Sequence, residues 1–242
     1  MATSGVYTYS TSQTAVITGA LRKVNAVGDF ETLSTSDNRY LAAQAMLNPL
    51  IKAYMALGMP VWAVTEATIP FSNFSSTAAV TIGLTGQTIN QVAPLKVIQG
   101  LRRDNLAVID VPLNIYTYED YEILSNKNAI GAPVHVFYQP LRNSGRINVW
   151  PLPDPTYWQV NGSLYLRYHR PYQDFTTGTD EPDFPIEWNL VLIYGLAIVL
   201  APEYGIDTEQ RNLLKEDYKM FLEQALSFGT EEGSIYVQPR PR

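Results

Sequence analysis

The sequence predicts an α+β protein: an antiparallel helical bundle formed by N- and C-terminal helix pairs, with a large inserted antiparallel β domain and an extended C-terminal tail. Three observations predict it. Apolar residues recur at about the 3.6-residue helical spacing in two segments near the start and two near the end. Between them, short runs rich in Val, Ile, Thr and Tyr alternate with Gly, Pro and Asn, the signature of strands and turns. The stretch from Asp183 to Leu226 pairs a helix apolar on nearly every side with an amphipathic one, and an all-round apolar helix must be enclosed. The expected segments are 1–10 as an N-terminal arm, 11–60 as the first helical part, 61–175 as the β-rich insertion with one short helix, 176–228 as the second helical part, and 229–242 as the tail.

In order, Thr11 or Ser12 is placed to cap a helix through TAVITGALRKVNAV, with Gly28 as its stop. Ser36 is placed to cap the next, NRYLAAQAMLNPLIKAYMALG, whose interior Pro49 should kink it or remove one backbone hydrogen bond. From Val61 the pattern becomes that of strands: VWAVTEATI, AAVTIGL, LKVIQGLRR, LAVIDVPLNIY, VHVFYQP, RINVWPLP and SLYLRYHR. Asn143-Ser144-Gly145 joins VHVFYQP and RINVWPLP as a hairpin, and TYEDYEILS reads as a short helix capped by Thr117 with Asp120 at its third position. Trp188 to Leu200 is the enclosed helix, too short to span a bilayer and closed by Pro202. The last helix sets Leu213, Leu214, Tyr218, Phe221, Leu222, Ala225 and Leu226 on one stripe. The tail's SIYVQ segment alternates like a strand without a neighbour to pair with, and Pro239 and Pro241 favour an extended backbone.

Composition narrows the function. With 17 basic and 23 acidic residues and a net charge of −6, the chain lacks the basic stripe of a sequence-reading nucleic-acid binder. It has no cysteine, which removes disulfides and thiolate metal sites. Met1 to Thr14 shows neither the basic nor the apolar region of a signal peptide. No metal-ligand, phosphate-loop or nucleophile motif occurs, so no catalytic residue, cofactor or metal site is expected. His135 and His169 sit in predicted strands beside aromatic residues and read as satisfied structural histidines. The cluster Asp174, Asp180, Glu181, Asp183 and Glu187 near Trp188 could serve as a pair of glycosidase carboxylates. Acidic residues ahead of a helix also favour its positive end, and that is the reading preferred.

The contact candidates are more specific. Tyr116, Tyr118 and Tyr121 flank Glu119 and Asp120 in a mixed patch suited to an interface. Arg102 and Arg103, with Arg142 and Arg146, are the basic clusters of the β region. In the tail, Ser234, Ile235, Tyr236, Val237, Gln238, Pro239, Arg240 and Arg242 are the candidate residues for a partner.

Several phrases, in order, resemble the head-to-tail adaptor proteins of short-tailed bacteriophages. ALRKVNAVG is similar to the family's opening helix, and LNPLIKAYMALGMPVW to its second helix and exit into strand. APLKVIQGLRRD and PLNIYTYEDYEIL look like the strands and short helix that follow, and GAPVHVFYQP with INVWPLPDP like the next hairpin. PDFPIEWNLVLIYGLAIVLAPEYG resembles the penultimate helix. Together they cover Thr11 to Leu226. The resemblance implies a non-enzymatic structural virion protein forming a homo-oligomeric ring, commonly a dodecamer, docked under the portal protein at the capsid vertex. Such a ring is assembled from subunits made in the host cytoplasm and extends the DNA channel. It offers the attachment platform for a tail nozzle or tube protein, and double-stranded DNA passes without sequence-specific binding. In the family the C-terminal segment reaches towards the portal, which gives Ser234 to Arg242 a role. The alternative is a cell-wall glycoside hydrolase or carbohydrate-binding tail module built on the acidic cluster.

Overall fold

In the computed structural model, which describes residues 9–55, 61–74 and 79–228, the chain divides into two units. The first takes Met1–Trp62 and Tyr172–Arg242, and the second Ala63–Pro171. The helices are α1 (Gln13–Lys23), α2 (Asn38–Tyr54), α3 (Tyr118–Ile123), α4 (Trp158–Asn161), α5 (Asn189–Leu200) and α6 (Thr208–Phe228). The strands are β1 (Val64–Pro70), β2 (Ala79–Gly83), β3 (Ile89–Asn90), β4 (Lys96–Asp104), β5 (Ile109–Tyr116), β6 (Ile130–Gly131), β7 (His135–Pro140), β8 (Gly145–Trp150), β9 (Leu152–Pro153) and β10 (Gly162–His169).

In the first unit, the Ser12 side chain caps α1 by accepting the Ala15 N–H at 3.3 Å. The helix stops at Lys23, ahead of the expected Gly28, because Asn25 takes the left-handed conformation at φ 56°. Asn is among the few residues that tolerate it. Asp37 rather than Ser36 caps α2, accepting the Arg39 N–H at 2.8 Å. Pro49 is carried inside α2. Helix α5, Asn189–Leu200, packs against α1, α2 and α6, while α1 also touches α2. Its all-round apolarity is thereby explained: Val191, Leu192, Leu196, Ala197 and Leu200 are all buried among these neighbours. Asn189 donates to Thr11 Oγ1 at 2.8 Å, satisfying a buried amide at the start of the post. Helix α6 lies shallower than its stripe suggests. Ala225 is buried, Leu214, Tyr218, Phe221 and Leu222 are half-buried, and Leu213 and Leu226 stay exposed. At about 100° per residue Leu213 falls on the opposite side from Tyr218.

The second unit is an eight-stranded sheet in the order β1-β10-β4-β5-β7-β8-β2-β3, with β6 and β9 as a separate pair. It curls around one core, to which Ile69, Val80, Val97, Leu113, Val136, Ile147 and Leu164 contribute from successive strands. Phe71 and Phe74, on the turn after β1, are fully enclosed there. The β7–β8 hairpin has the expected turn, with Pro140 opposite Gly145.

These findings correct the expected fold class. The dominant element is a mixed sheet, not an antiparallel β domain inserted in a helical bundle: β5 pairs parallel with β7, and β2 parallel with β3. Parallel neighbours need a crossover connection, and β5–α3–β7 supplies one, with α3 as its helical turn. Nor do the terminal segments close as two antiparallel helix pairs; they gather on α5. The expected extended tail, 229–242, lies outside the described residues, as do residues 1–8 of the expected arm. Among the described residues no helix is long and apolar enough to cross a membrane.

Several carboxylates are held below their usual range by hydrogen bonds, Asp180 the furthest. Asp180 accepts from the Thr177 and Thr176 hydroxyls and backbone N–H groups. Asp120 is held down by Thr117, and Glu31 and Asp37 by the Arg39 guanidinium. Each binds a proton less readily folded than unfolded, so its stabilisation is complete above the ordinary carboxylate range and fades as pH falls through the lowered value. Burial also holds His135 and His169 below the usual imidazole value, so protonation of the unfolded chain adds to the loss below about pH 6.5. The melting temperature should therefore fall steadily on acidification. In a pH series followed by circular dichroism, Asp180→Asn should flatten the most acidic part of the decline.

Candidate functional site

The predicted tyrosine patch is built on the β5–α3–β7 crossover. Thr117 and Asp120 form a reciprocal cap: the Asp120 N–H donates to Thr117 Oγ1 at 3.3 Å, and the Thr117 N–H to Asp120 Oδ2 at 3.1 Å. This fixes a helix of one and a half turns in which no residue is buried. Tyr121 stacks on Phe137 of β7 with ring centres 4.9 Å apart, and Tyr118 meets the same ring edge-on at 6.0 Å. Tyr116 stacks against His135 at 4.0 Å, its hydroxyl 3.0 Å from Nε2, and His135 lies 5.4 Å from the Trp150 ring. Lys127 spans the edge of the patch, 2.7 Å from Glu122 and over the Tyr121 ring. Tyr118 is 60% and Ile123 80% exposed. Shallow depressions of about 370 and 380 Å³ flank α3, one lined by Tyr116, Ile123 and Trp150, the other by Tyr118, Phe137 and Arg146. The result is a fixed aromatic surface, polar at its hydroxyls and apolar at its ring faces, the mixture common in protein interfaces.

Arg102 and Arg103 are not part of that surface. They pair with Val111 and Asp110 at the other end of β5, away from Tyr116. Arg103 grips Asp110 through Nε at 2.6 Å and Nη2 at 2.5 Å, and covers the Tyr165 ring. Arg102 donates to the Pro133 carbonyl at 2.7 Å and lies over the Trp158 ring at 4.4 Å. Both guanidiniums are committed within the protein, which leaves them poorly placed to take up DNA phosphate. The tail candidates, Ser234, Ile235, Tyr236, Val237, Gln238, Pro239, Arg240 and Arg242, lie outside the described residues.

Three carboxylates of the acidic cluster near Trp188 are taken up by local bonds. Asp174 pairs with Lys52 at 2.7 Å, Asp180 closes the Thr176–Thr177 turn, and Asp183 accepts the Gln173 N–H at 3.0 Å. These bonds brace the connection leading to α5; only Glu187 sits in a first helical turn. Trp188 is 2% exposed, ringed by Tyr54, Trp62 and Phe184, so its face is closed to a sugar. Among the described residues no group of three or more His, Cys, Asp or Glu could hold a metal ion.

Sequence reasoning missed the β4–β5 turn. Leu106, Val108 and Ile109 are 72%, 75% and 57% exposed there. The signal was present: DNLAVID carries apolar residues where a turn ordinarily carries polar ones. It was hidden inside what reads as a strand. Asp104 organises this turn, accepting the Leu106 and Ala107 N–H groups at 2.9 and 3.1 Å and the Tyr157 hydroxyl, which together hold its carboxyl below the usual range. No protein-family model matches the chain, and no curated protein matches it either, so these surfaces stand on their own geometry.

Proposed function

We propose that this chain is a ring-forming structural subunit of the head-to-tail adaptor class, which would dock under a phage portal and carry the tail proteins below it. The ordered resemblance from Thr11 to Leu226 motivates the reading. The observation that supports it best is the pattern of exposure. Large apolar side chains stand out at α3, at the β4–β5 turn and on α6, including Ile123, Val108, Leu106 and Leu213. Exposed apolar groups gathered on braced elements favour contact with other proteins. Arg102 and Arg103, bonded internally, suit a surface that DNA passes without adhering. The hydrolase alternative gains nothing from the cluster at Asp174, Asp180 and Asp183, whose oxygens serve local bonds.

Mixing the purified chain with the portal protein encoded in the same genome should give a stable stacked ring in negative-stain microscopy. A portal that remains bare at saturating chain would overturn the reading. Deleting Gly233 to Arg242 should leave the melting temperature unchanged and weaken portal attachment. Undiminished attachment of the truncated chain would remove the tail from the interface.

A further inference from the structure

The two ends of β4 and β10 differ in shape and in charge. At one end β4 turns into β5, presenting Leu106, Val108 and Ile109, and Val160 of the adjoining α4 is 73% exposed. The projection is braced rather than loose. The Asn105 N–H donates to the Asn161 carbonyl at 2.8 Å, its side chain to Ser163 Oγ at 2.8 Å, and Asp104 holds the turn from within. Val108 sits at φ 55°, a conformation that β-branched side chains avoid and that persists only where the surroundings impose it. The strained residue thus aims an apolar side chain into solvent.

At the other end of the same strands lies a concavity of about 730 Å³, lined by Leu84, Val92, Pro94, Leu141 and Pro171 with Arg142 on its wall. Leu84 and Leu141 are 64% and 48% exposed. Since β4 is nine residues long, projection and concavity are separated by roughly 30 Å, and one copy cannot seat its own tip.

Charge selects the occupant. Arg142 is the charged residue in the lining of the concavity, and the segments around it, 84–96, 138–146 and 168–171, carry no carboxylate. The segments around the projection, 102–112 and 152–164, carry Asp104, Asp110 and Asp154 against Arg102 and Arg103. The tail from 233 to 242 has Arg240 and Arg242 and no acid, so it matches the basic concavity poorly. We propose that the β4–β5 tip of one copy seats in this concavity of a neighbouring copy. Because the two patches differ, the contact is head-to-tail and repeats from copy to copy, closing into a ring when the rotation allows. The inference rests on the ring reading above for its closure, not for the contact.

The chain's lack of cysteine gives a clean background for cross-linking. A Leu106→Cys/Leu141→Cys double variant, concentrated alone and on portal, should form a ladder of disulfide-linked multimers on mild oxidation. A Leu106→Cys/Ile130→Cys control should not. In sedimentation, Leu106→Lys should weaken self-association about 10–30-fold, the loss typical of a central anchor. Should that variant fail a circular-dichroism check, Leu141→Lys makes the same test from the concavity. Rings on portal without the ladder overturn this contact and leave the adaptor reading standing. A ladder without portal binding supports the contact and overturns the adaptor reading. No ladder in either arm overturns the contact.

Discussion

A Gly195→Val variant is expected to lose about 3 kcal/mol or more of folding stability, through overpacking at a site with no slack. Gly195 lies in the middle of α5, and a Cβ built on it would fall on the Tyr54 hydroxyl of α2, with Tyr218 Cε2 at 3.3 Å and Leu50 Cδ2 at 3.4 Å. Tyr54 cannot step aside freely. It is 4% exposed, and its hydroxyl donates to the Val191 carbonyl at 3.3 Å. Burial pushes that phenol far above its ordinary value, so it stays a protonated donor at all working pH. Gly195→Ala sets a helix-propensity gain of about 1 kcal/mol against the clash, and the clash should prevail. Tyr54→Phe removes the oxygen that the new methyl group meets. The Gly195→Ala/Tyr54→Phe double variant should therefore be more stable than the two single losses predict when summed, a positive coupling measurable by urea denaturation. Simple additivity would show that the two helices part freely here.

The second large effect is expected at Trp188. Trp188→Ala should cost about 3–5 kcal/mol, because it empties the centre of an aromatic cluster. The indole lies 5.4 Å from the Trp62 ring, 5.5 Å from Phe184 and 5.9 Å from Tyr54. Its Nε1–H is buried with no acceptor among the described residues, so the ring is held by packing. Trp188→Phe keeps most of the packing and removes the orphan donor, and should cost far less than alanine. Far-UV circular dichroism in denaturant separates the two. Equal losses would point to a hidden partner for the nitrogen.

Both residues lie in the stretch that the sequence marks most plainly. A run from Leu190 to Ala201 without a charged or amide side chain, lying between Pro185 and Pro202, announces an enclosed helix, and α5 is that helix. The capping box at Thr117 and Asp120 and the turn before Gly145 were equally legible, since each is written within a few neighbouring residues. What could not be read was pairing. Whether VPLNIY runs with or against VHVFYQ depends on how the chain crosses between them, and composition is the same either way. The order strand, short helix, strand at 109–140 did carry a hint of parallel pairing. The tyrosine patch was legible as a patch because its residues crowd into six positions. Arg102 and Arg103 looked available because Asp110, Trp158 and Tyr165, which occupy them, come from the facing turn and from distant segments.

The position of β1 bears on how the chain comes to fold during synthesis. Among the described residues β1 is the first strand made, and its one neighbour in the sheet there is β10, with Val64 opposite His169. At about 5–20 residues per second, the ribosome needs roughly 5–20 s to supply that partner. Meanwhile VTEATIP has no sheet to join, and α1 and α2 wait still longer for the Asn189–Leu200 post on which they pack. Neither unit can bury its core until most of the chain has emerged. Long-range closure of this kind slows folding and prolongs exposure of unpaired strands. A chain truncated before residue 162 should therefore aggregate, and slower translation should not rescue it.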